Sequence, residues 1–216
     1  MIRVLIADDH ALMRAGLRHI LEKATGFHVV GEAADGSAAL HLGRNTPAQV
    51  MLVDLSMPGR NGLEVVSQLK KENTPVSTIV LTMHGEQQYA ERAFKCGARG
   101  YLIKESAATD LVAAITKVAN GGVYLSAAMA ERLACNLDRD PCALPHEQLS
   151  DREFDVFRRL VSGETVSQIA NELCISAKTV STYKTRIHQK MQMSSDVALV
   201  RYALKNDLCS APNEDA

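Results

Sequence analysis

The sequence predicts two domains: an open α/β sheet of five parallel strands, followed by an all-α domain of four short helices. Apolar runs of strand length alternate with helical periodicity five times in the first 120 residues, which is typical of a parallel sheet with helices on both faces. From residue 149 onward only helical periodicity remains. A polar segment with two prolines separates the patterns. We therefore predict a first domain at 1–121, a linker with a short helix at 122–148, and a second domain at 149–210.

Composition narrows the possible classes of protein. Of the 216 residues, 46% are hydrophobic and 23% are charged, which is sufficient for a core and ordinary for a water-exposed surface. Because the net charge is −1, any contact with nucleic acid has to come from a local basic cluster. The absence of an 18-residue apolar run predicts no membrane span. Five cysteines without a CxxC pair are expected of reduced thiols in a cytoplasmic protein.

Each element of the first domain follows from a local signal. Asp35 is a suitable N-cap for the second helix, and Gly97 is a suitable C′ residue for the fourth. Pro47 ends the second helix before the third strand. Ser106 is a candidate cap for the fifth helix. Apolar runs and periodicity predict strands near 3–7, 27–31, 50–54, 76–81 and 100–103, with helices near 12–21, 36–44, 63–69, 86–96 and 107–119.

Polar side chains follow four of the five predicted strands. Asp8 and Asp9 follow the first strand, Asp54 the third, Thr82 the fourth and Lys104 the fifth. In an open parallel sheet these ends meet at one rim. Three close carboxylates are unfavourable unless a cation is shared, and a hard divalent ion such as Mg²⁺ would suit their oxygen atoms. With the lysine and threonine they would cradle a phosphoryl group, which the third-strand aspartate would accept as a nucleophile.

This pattern resembles the receiver domain of bacterial response regulators over residues 2 to about 120. The resemblance rests on Asp8-Asp9, on Asp54 followed by Met57-Pro58 and Gly62, and on Thr82, Tyr101 and Lys104. It implies a flavodoxin-like (βα)5 fold, phosphorylation by a sensor histidine kinase, and bound Mg²⁺. The roles that it implies are a phosphoacceptor (Asp54), a phosphate partner (Lys104), a switch pair (Thr82 and Tyr101) and metal ligands (Asp8, Asp9, Asp54 and the Ser56 carbonyl).

Two local features qualify this interpretation. Many receivers place proline after the lysine, whereas Glu105 stands there, so the loop after the fifth strand is expected to differ. The family tunes phosphate lifetime at positions that correspond to Ser56 and His84.

A phosphatase of the haloacid dehalogenase kind is an alternative, but it would need a second aspartate where Ser56 stands. A DNA-binding protein that works without phosphorylation is a further alternative, which the intact acidic set disfavours.

The second domain contains a basic helix with small polar side chains. Ser150 and Glu153 form a capping box that opens its first helix, and a tight turn at Cys174-Ile175 precedes the third. Between Ser176 and Lys190 the chain has four cations and no acid. A helix that enters the DNA major groove needs short polar side chains for base edges and cations for phosphates. The preceding helix and turn complete a helix-turn-helix.

These features resemble the LuxR-type (NarL/FixJ) DNA-binding domain over about 149–208. The resemblance implies binding of double-stranded operator DNA by a homodimer on inverted half-sites, with the last helix, 195–205, as the dimer contact. RNA polymerase is a possible further partner. The resemblance implies phosphate or groove-edge contacts for Lys178, Thr179, Tyr183 and Lys184, and base contacts for Ser181, Thr182 and Thr185.

Overall fold

The computed structural model describes residues 1–83, 87–127, 129–131, 144–206 and 208. The chain forms two compact units, Met1–Arg139 and Asp140–Ala216, and each is described by itself. The boundary between them falls within the segment that the sequence predicts as a linker. Most of the predicted linker helix and the loop residue His84 lie outside the described residues.

The first unit is a five-stranded parallel sheet with the strand order β2-β1-β3-β4-β5. This confirms the predicted α/β fold. The strands are β1 (Ile2–Ala7), β2 (Phe27–Ala33), β3 (Val50–Asp54), β4 (Ser77–Thr82) and β5 (Gly100–Ile103). The helices are α1 (Ala11–Lys23), α2 (Gly36–Asn45), α3 (Gly62–Lys71), α4 (Gln87–Cys96) and α5 (Ala107–Ala119), with a 3₁₀ turn at Lys104–Ser106.

Both faces of the sheet are covered by helices. All five residues of β3 are buried, which explains why its sequence is a continuous apolar run rather than an alternating one. Alternate residues of a strand point to opposite faces. Accordingly Leu52 packs in the core beneath α1 and α5, whereas Met51 and Val53 pack in the core beneath α2 and α3.

The ends of the helices follow the sequence signals with one exception. The Asp35 carboxylate accepts hydrogen bonds from the backbone N–H groups of Ser37 and Ala38, as its position as an N-cap predicts. Gly97 ends α4 with φ +112°. Ser106 does not cap α5; its hydroxyl donates to the Ile103 carbonyl instead, because the chain enters α5 through the 3₁₀ turn. Beyond α5, Tyr124 pairs with Gly100 and extends the sheet past residue 121.

The second unit has four helices after a short 3₁₀ turn at Pro145–Gln148. The helices are α6 (Asp151–Val161), α7 (Val166–Glu172), α8 (Ala177–Met191) and α9 (Asp196–Lys205). The capping box of Ser150 and Glu153 is present, and Thr165 and Gln168 form a second one that opens α7. The 3₁₀ turn packs on this unit, because His146 is buried against Phe154 and Tyr202.

A compact apolar core holds α8 against the other helices. Val180 and Ile187 are completely buried on one side of α8, as their helical spacing predicts, and they share the core with Phe154 and Phe157. Cys174 adopts the left-handed conformation, with φ +52°, in the turn between α7 and α8. In the described parts of both units, no helix combines the length and apolar character that a bilayer crossing requires.

Candidate functional site

The strand order brings the acidic residues together. β1 pairs with β2 on one side and with β3 on the other, so the chain reverses its winding direction between β1 and β3. A crevice forms at such a reversal, beyond the carboxyl ends of the two strands. Asp8 and Asp9 follow β1 directly, and Asp54 is the last residue of β3. The three carboxylates therefore lie at the one place where an open parallel sheet provides a ligand crevice.

One ammonium group is shared by two buried carboxylates. The Lys104 Nζ atom lies 2.8 Å from Asp8 Oδ2 and 3.0 Å from Asp54 Oδ2. Asp8 and Asp54 are 0% and 2% exposed, and the lysine is buried with them. Burial lowers the pKa of Lys104, but the two carboxylates outweigh this effect and raise it above its ordinary value. The lysine is therefore a permanently charged partner for whatever occupies this crevice.

The surroundings of Asp54 disfavour the ionised form of its carboxyl group. Burial, the largest effect, raises its pKa to about 6. Attraction to Lys104 lowers the pKa, whereas repulsion from Asp8 and Asp9 raises it further. Since the net shift is upward, the positive charge of one lysine does not fully compensate for burial and for the two neighbouring acids. A further cation or an electrophile would stabilise the ionised form.

The acidic cluster fits a divalent metal ion. Asp8, Asp9, His10 and Asp54 each offer one ligand atom, and these atoms lie within 4.8 Å of one another. The oxygen atoms Asp8 Oδ2, Asp9 Oδ1 and Asp54 Oδ2 are buried and accept no hydrogen bond of regular geometry from the described residues. Carboxylate oxygens without such partners are suitable ligands for a hard cation. The choice of Mg²⁺ and the role of the Ser56 carbonyl stay predictions.

Two residues near the cluster, His10 and Arg14, were not among those that the sequence predicts for the site. The His10 Nδ1 atom lies 2.7 Å from Asp9 Oδ1, and its backbone N–H donates to Asp8 Oδ1 at 2.8 Å. Arg14 donates to the Asp8 carbonyl at 2.6 Å and so holds the start of the loop. The position of His10 next to the acidic pair was the available signal, whereas Arg14 needed the first turn of α1.

A glycine allows the chain to return beneath Asp54. After Asp54 the chain turns through Met57, which is buried, and its backbone comes back at Gly62. The Gly62 N–H donates to the Leu55 carbonyl at 3.0 Å. A Cβ atom on Gly62 would lie 2.2 Å from the Asp54 carbonyl oxygen, so no other residue fits without moving the strand end. Asn61 then caps α3 by accepting from Glu64 N–H.

Thr82 and Tyr101 occupy the positions that the sequence predicts for them. Thr82 is the last residue of β4 and Tyr101 lies on the adjacent strand β5, where it pairs in register with Val80. Both are buried, at 1% and 2% exposure. Thr82 therefore ends its strand beside the strand of Asp54, and Tyr101 is in an inward position in this conformation. Their action as a switch pair stays a prediction.

The predicted base-contacting residues lie on the exposed surface of α8. Ser181, Thr182 and Thr185 are exposed, as is Lys178, and Thr179, Tyr183 and Lys184 are half-buried. The three hydroxyl groups donate to helix carbonyls four residues earlier, namely those of Ala177, Lys178 and Ser181. Their lone pairs stay available as acceptors on the outer face of the helix.

Carboxylates from neighbouring helices neutralise two of the four cations on α8. Lys184 forms an ion pair with Asp196 of α9, and Lys190 forms one with Glu153 of α6. His188 also contacts Asp196, at 3.0 Å. Lys184 holds the pKa of the Asp196 carboxyl below its ordinary value. The other two cations of the helix, Lys178 and Arg186, form no ion pair with any described residue.

Family models match both units. The response regulator receiver domain matches residues 4–116, and the luxR family of bacterial regulatory proteins matches residues 147–203. Response regulator UvrY of Escherichia coli K12 is 37% identical over 98% of this chain and 97% of its own length. The chain belongs to the NarL/FixJ family of bacterial two-component response regulators. Response regulator GacA of Pseudomonas aeruginosa is 34% identical over 98% of the chain and 99% of its own.

Solved structures of similar proteins share the fold of this response regulator. RcsB of Salmonella typhimurium has a TM-score of 0.67 at 30% identity, over 94% of this chain and 97% of that one. RcsB of Salmonella enterica serovar Typhimurium, bound to the rprA promoter with phosphomimetic BeF₃⁻, has a TM-score of 0.63 at 30% identity, over 94% and 98%. The matched relatives are regulators and not enzymes, which excludes the phosphatase alternative.

Replacing Gly62 by alanine should distort the response regulator at the end of β3. We expect the Gly62→Ala variant to lose about 1–3 kcal/mol of unfolding free energy, because the methyl group has to displace the Asp54 carbonyl. The control is Gly16→Ala in α1, where a Cβ atom would meet nothing within 4 Å. That variant should gain up to about 1 kcal/mol. Urea unfolding of both variants measures the difference, and equal stabilities would contradict the steric assignment.

Replacing Asp54 by asparagine should stabilise the response regulator in the absence of metal. Because the pKa of Asp54 is about 6, ionisation above that pH costs the fold free energy that a neutral amide does not. We expect a gain of about 1–3 kcal/mol at pH 7.5 in EDTA, shrinking as the pH falls from 6 towards 4. Urea unfolding across this range measures it. The exposed substitution Glu22→Gln should show no such pH-dependent gain, and a destabilised Asp54→Asn protein would refute this view of the cluster.

Proposed function

We propose that this response regulator is a DNA-binding transcription factor switched by phosphorylation of Asp54. The observation that carries the proposal is the Lys104 ammonium group, which bridges the buried carboxylates of Asp8 and Asp54 at the reversal point of the sheet. A buried carboxylate with a raised pKa beside a fixed cation is typical of a functional site. The family shown by the comparisons uses a sensor histidine kinase as the phosphoryl donor, and we infer such a partner here.

The proposed reaction is a transfer between two side chains. An Asp54 carboxylate oxygen attacks the phosphorus atom of a phosphohistidine on the kinase, the P–N bond breaks, and an aspartyl phosphate forms on this chain. Lys104 would then pair with a phosphate oxygen. Asp8, Asp9 and Asp54 would hold Mg²⁺, with the Ser56 carbonyl. When bound, Mg²⁺ would neutralise charge on the transferring phosphoryl group.

The proposed switch depends on the two strands beside the phosphoacceptor. In the phosphorylated state the Thr82 hydroxyl would move to the phosphate, and Tyr101 would rotate inward into the space that it leaves. The burial of Tyr101, at 2% exposure, supports the proposal because it is compatible with an inward position of the ring. The phosphoryl group changes activity only if it stabilises one arrangement of these residues more than the other.

The proposed output is operator binding by α8. Its exposed hydroxyl groups and its two unpaired cations, Lys178 and Arg186, suit base edges and phosphates respectively. One such helix covers few base pairs, so a homodimer on inverted half-sites is proposed, with α9 as the dimer contact. The RcsB structure with the rprA promoter supports DNA binding by this type of domain. RNA polymerase is proposed as a further partner, and the cytoplasm, where the operator is, as the place of action.

Phosphorylation should fail when Asp54 is replaced by asparagine. We expect wild-type protein incubated with acetyl phosphate and Mg²⁺ to gain one hydroxylamine-labile phosphoryl group, because a mixed anhydride is cleaved by that reagent. The Asp54→Asn variant has no carboxylate oxygen at this position and should gain none. Intact-protein mass spectrometry measures the modification, with Glu22→Gln as the control. Undiminished labelling of Asp54→Asn would refute the assignment of the phosphoacceptor.

Removing the Asp196 carboxylate should strengthen DNA binding. The Asp196→Asn variant frees Lys184 for a phosphate, so we expect affinity to rise about 3- to 10-fold at low salt. The slope of log K against log salt should become steeper by about one. Fluorescence anisotropy on a fragment selected from genomic DNA by the phosphorylated protein measures both. Glu147→Gln changes the net charge equally without freeing Lys184, and a similar gain in that control would refute the specific role of the ion pair.

A further inference from the structure

A second polar cleft lies at the opposite end of the sheet from Asp54. It is bounded by the end of α3, the beginning of β4 and the turn that follows α4, and its volume is about 380 Å³. Because Thr82 ends β4 and Ser77 begins it, the cleft and the phosphoacceptor end are separated by the length of this strand. The cleft therefore has no part in the proposed phosphoryl transfer, and its chemistry has to be considered separately.

The cleft contains two cations without acidic partners. Lys70 and Arg99 line it, and neither forms an ion pair or side-chain hydrogen bond with any described residue. None of the described residues that line the cleft is acidic. The carboxylate nearest in sequence to Lys70, that of Glu72, accepts hydrogen bonds from Arg44 at 2.5 and 2.7 Å and from Gln68 at 2.7 Å. The local acid is thus engaged elsewhere, which leaves the cleft electropositive.

Hydroxyl groups line the same cleft. Thr74, Ser77 and Thr78 contribute to its surface. The Thr74 hydroxyl donates to the Leu69 carbonyl at 3.0 Å. Thr78 is only 4% exposed, yet its hydroxyl forms no hydrogen bond with any described residue. Among the described residues, the buried side-chain oxygens without a partner all belong to the acidic cluster, so the Thr78 hydroxyl itself reaches solvent at the wall of the cleft. It can therefore donate to water or to a bound molecule.

The backbone sets where the two exposed side chains begin, and their charged ends are open to solvent. The Lys70 side chain lies across Gly97, where a Cβ atom would be only 2.2 Å from Lys70 Cδ. Arg99 donates its backbone N–H to the Thr78 carbonyl at 2.8 Å and accepts from the Tyr124 N–H at 2.9 Å. A cation near a helix C-terminus often only complements the helix dipole. That explanation applies to Lys70 at the end of α3 but not to Arg99, which directly precedes β5.

We propose that this cleft is a binding site for a small anion with a phosphate or carboxylate group. Lys70 and Arg99 would neutralise the anion, and the Thr78 hydroxyl would donate a hydrogen bond to one of its oxygens. The apolar side chains of Val66 and Leu69, which also line the cleft, would contact the remainder of a larger metabolite. The proposal does not depend on phosphorylation of Asp54, and it concerns a surface that the family comparison does not assign.

The test is a titration of the full-length protein in EDTA, with inorganic phosphate in one arm and citrate in the other. Chemical shifts of the backbone amides of Thr78 and Arg99 report binding at the cleft. We expect saturable shifts with at least one of the two anions. In the Lys70→Gln/Arg99→Gln variant the dissociation constant for that anion should rise at least tenfold, because two charge-assisted contacts are lost.

A matched control separates the cleft from general surface charge. The Lys71→Gln/Lys23→Gln variant removes the same number of charges from exposed positions of the same unit, and its dissociation constant should stay within twofold of wild type. Thr78→Val, which removes only the hydroxyl, should weaken binding about threefold or more. The absence of saturable shifts with both anions would overturn the proposal. Equal weakening in the two double variants, or binding only of an acidic peptide supplied as a third arm, would also overturn it.

Discussion

A lysine ammonium held between two buried carboxylates is the interaction on which the first unit depends. Burying charges is costly, and it is tolerated only when they are paired with good geometry. Lys104 meets Asp8 and Asp54 in this way, but three acids and one lysine leave a net negative crevice. Burial is the largest cause of the raised pKa of Asp54, and repulsion from Asp8 and Asp9 adds to it. The crevice is therefore most stable when it holds additional positive charge, and this electrostatic imbalance gives the site its proposed sensitivity to metal and phosphate.

The backbone around this interaction is packed closely enough to fix its geometry. Gly62 lets the chain pass against the Asp54 carbonyl, and a side chain there would overlap an atom of the strand itself. Gly36 has a similar role at the start of α2, where a Cβ atom would lie 2.2 Å from the Arg60 carbonyl oxygen. Because β3 is buried along its whole length, its end cannot shift without disturbing the core on both faces. A rigid backbone therefore holds the buried carboxylates and Lys104 close together.

In the second unit, ion pairs limit the charge that α8 presents. The sequence places four cations on α8, but the tertiary structure engages two of them with acids of neighbouring helices. Under the proposed operator binding, an acid such as Asp196 would lower DNA affinity without touching DNA, because a phosphate would have to compete with it for Lys184. Residues of the two units show the same principle: a charge is available for binding where the fold leaves it without a partner. Lys178 and Arg99 have no such partner among the residues that the structure describes.

The sequence by itself determined the order of strands and helices, the residues that end the strands, and the basic helix after a tight turn. These features come from hydrophobic periodicity and capping signals, which act over a few residues. Only the tertiary structure decided that β1 lies beside β3, that His10 contacts Asp9, and that Asp196 forms an ion pair with Lys184. It also brought Lys70 and Arg99 into one cleft. Such contacts join residues far apart in the chain or depend on side-chain direction, which local patterns do not encode.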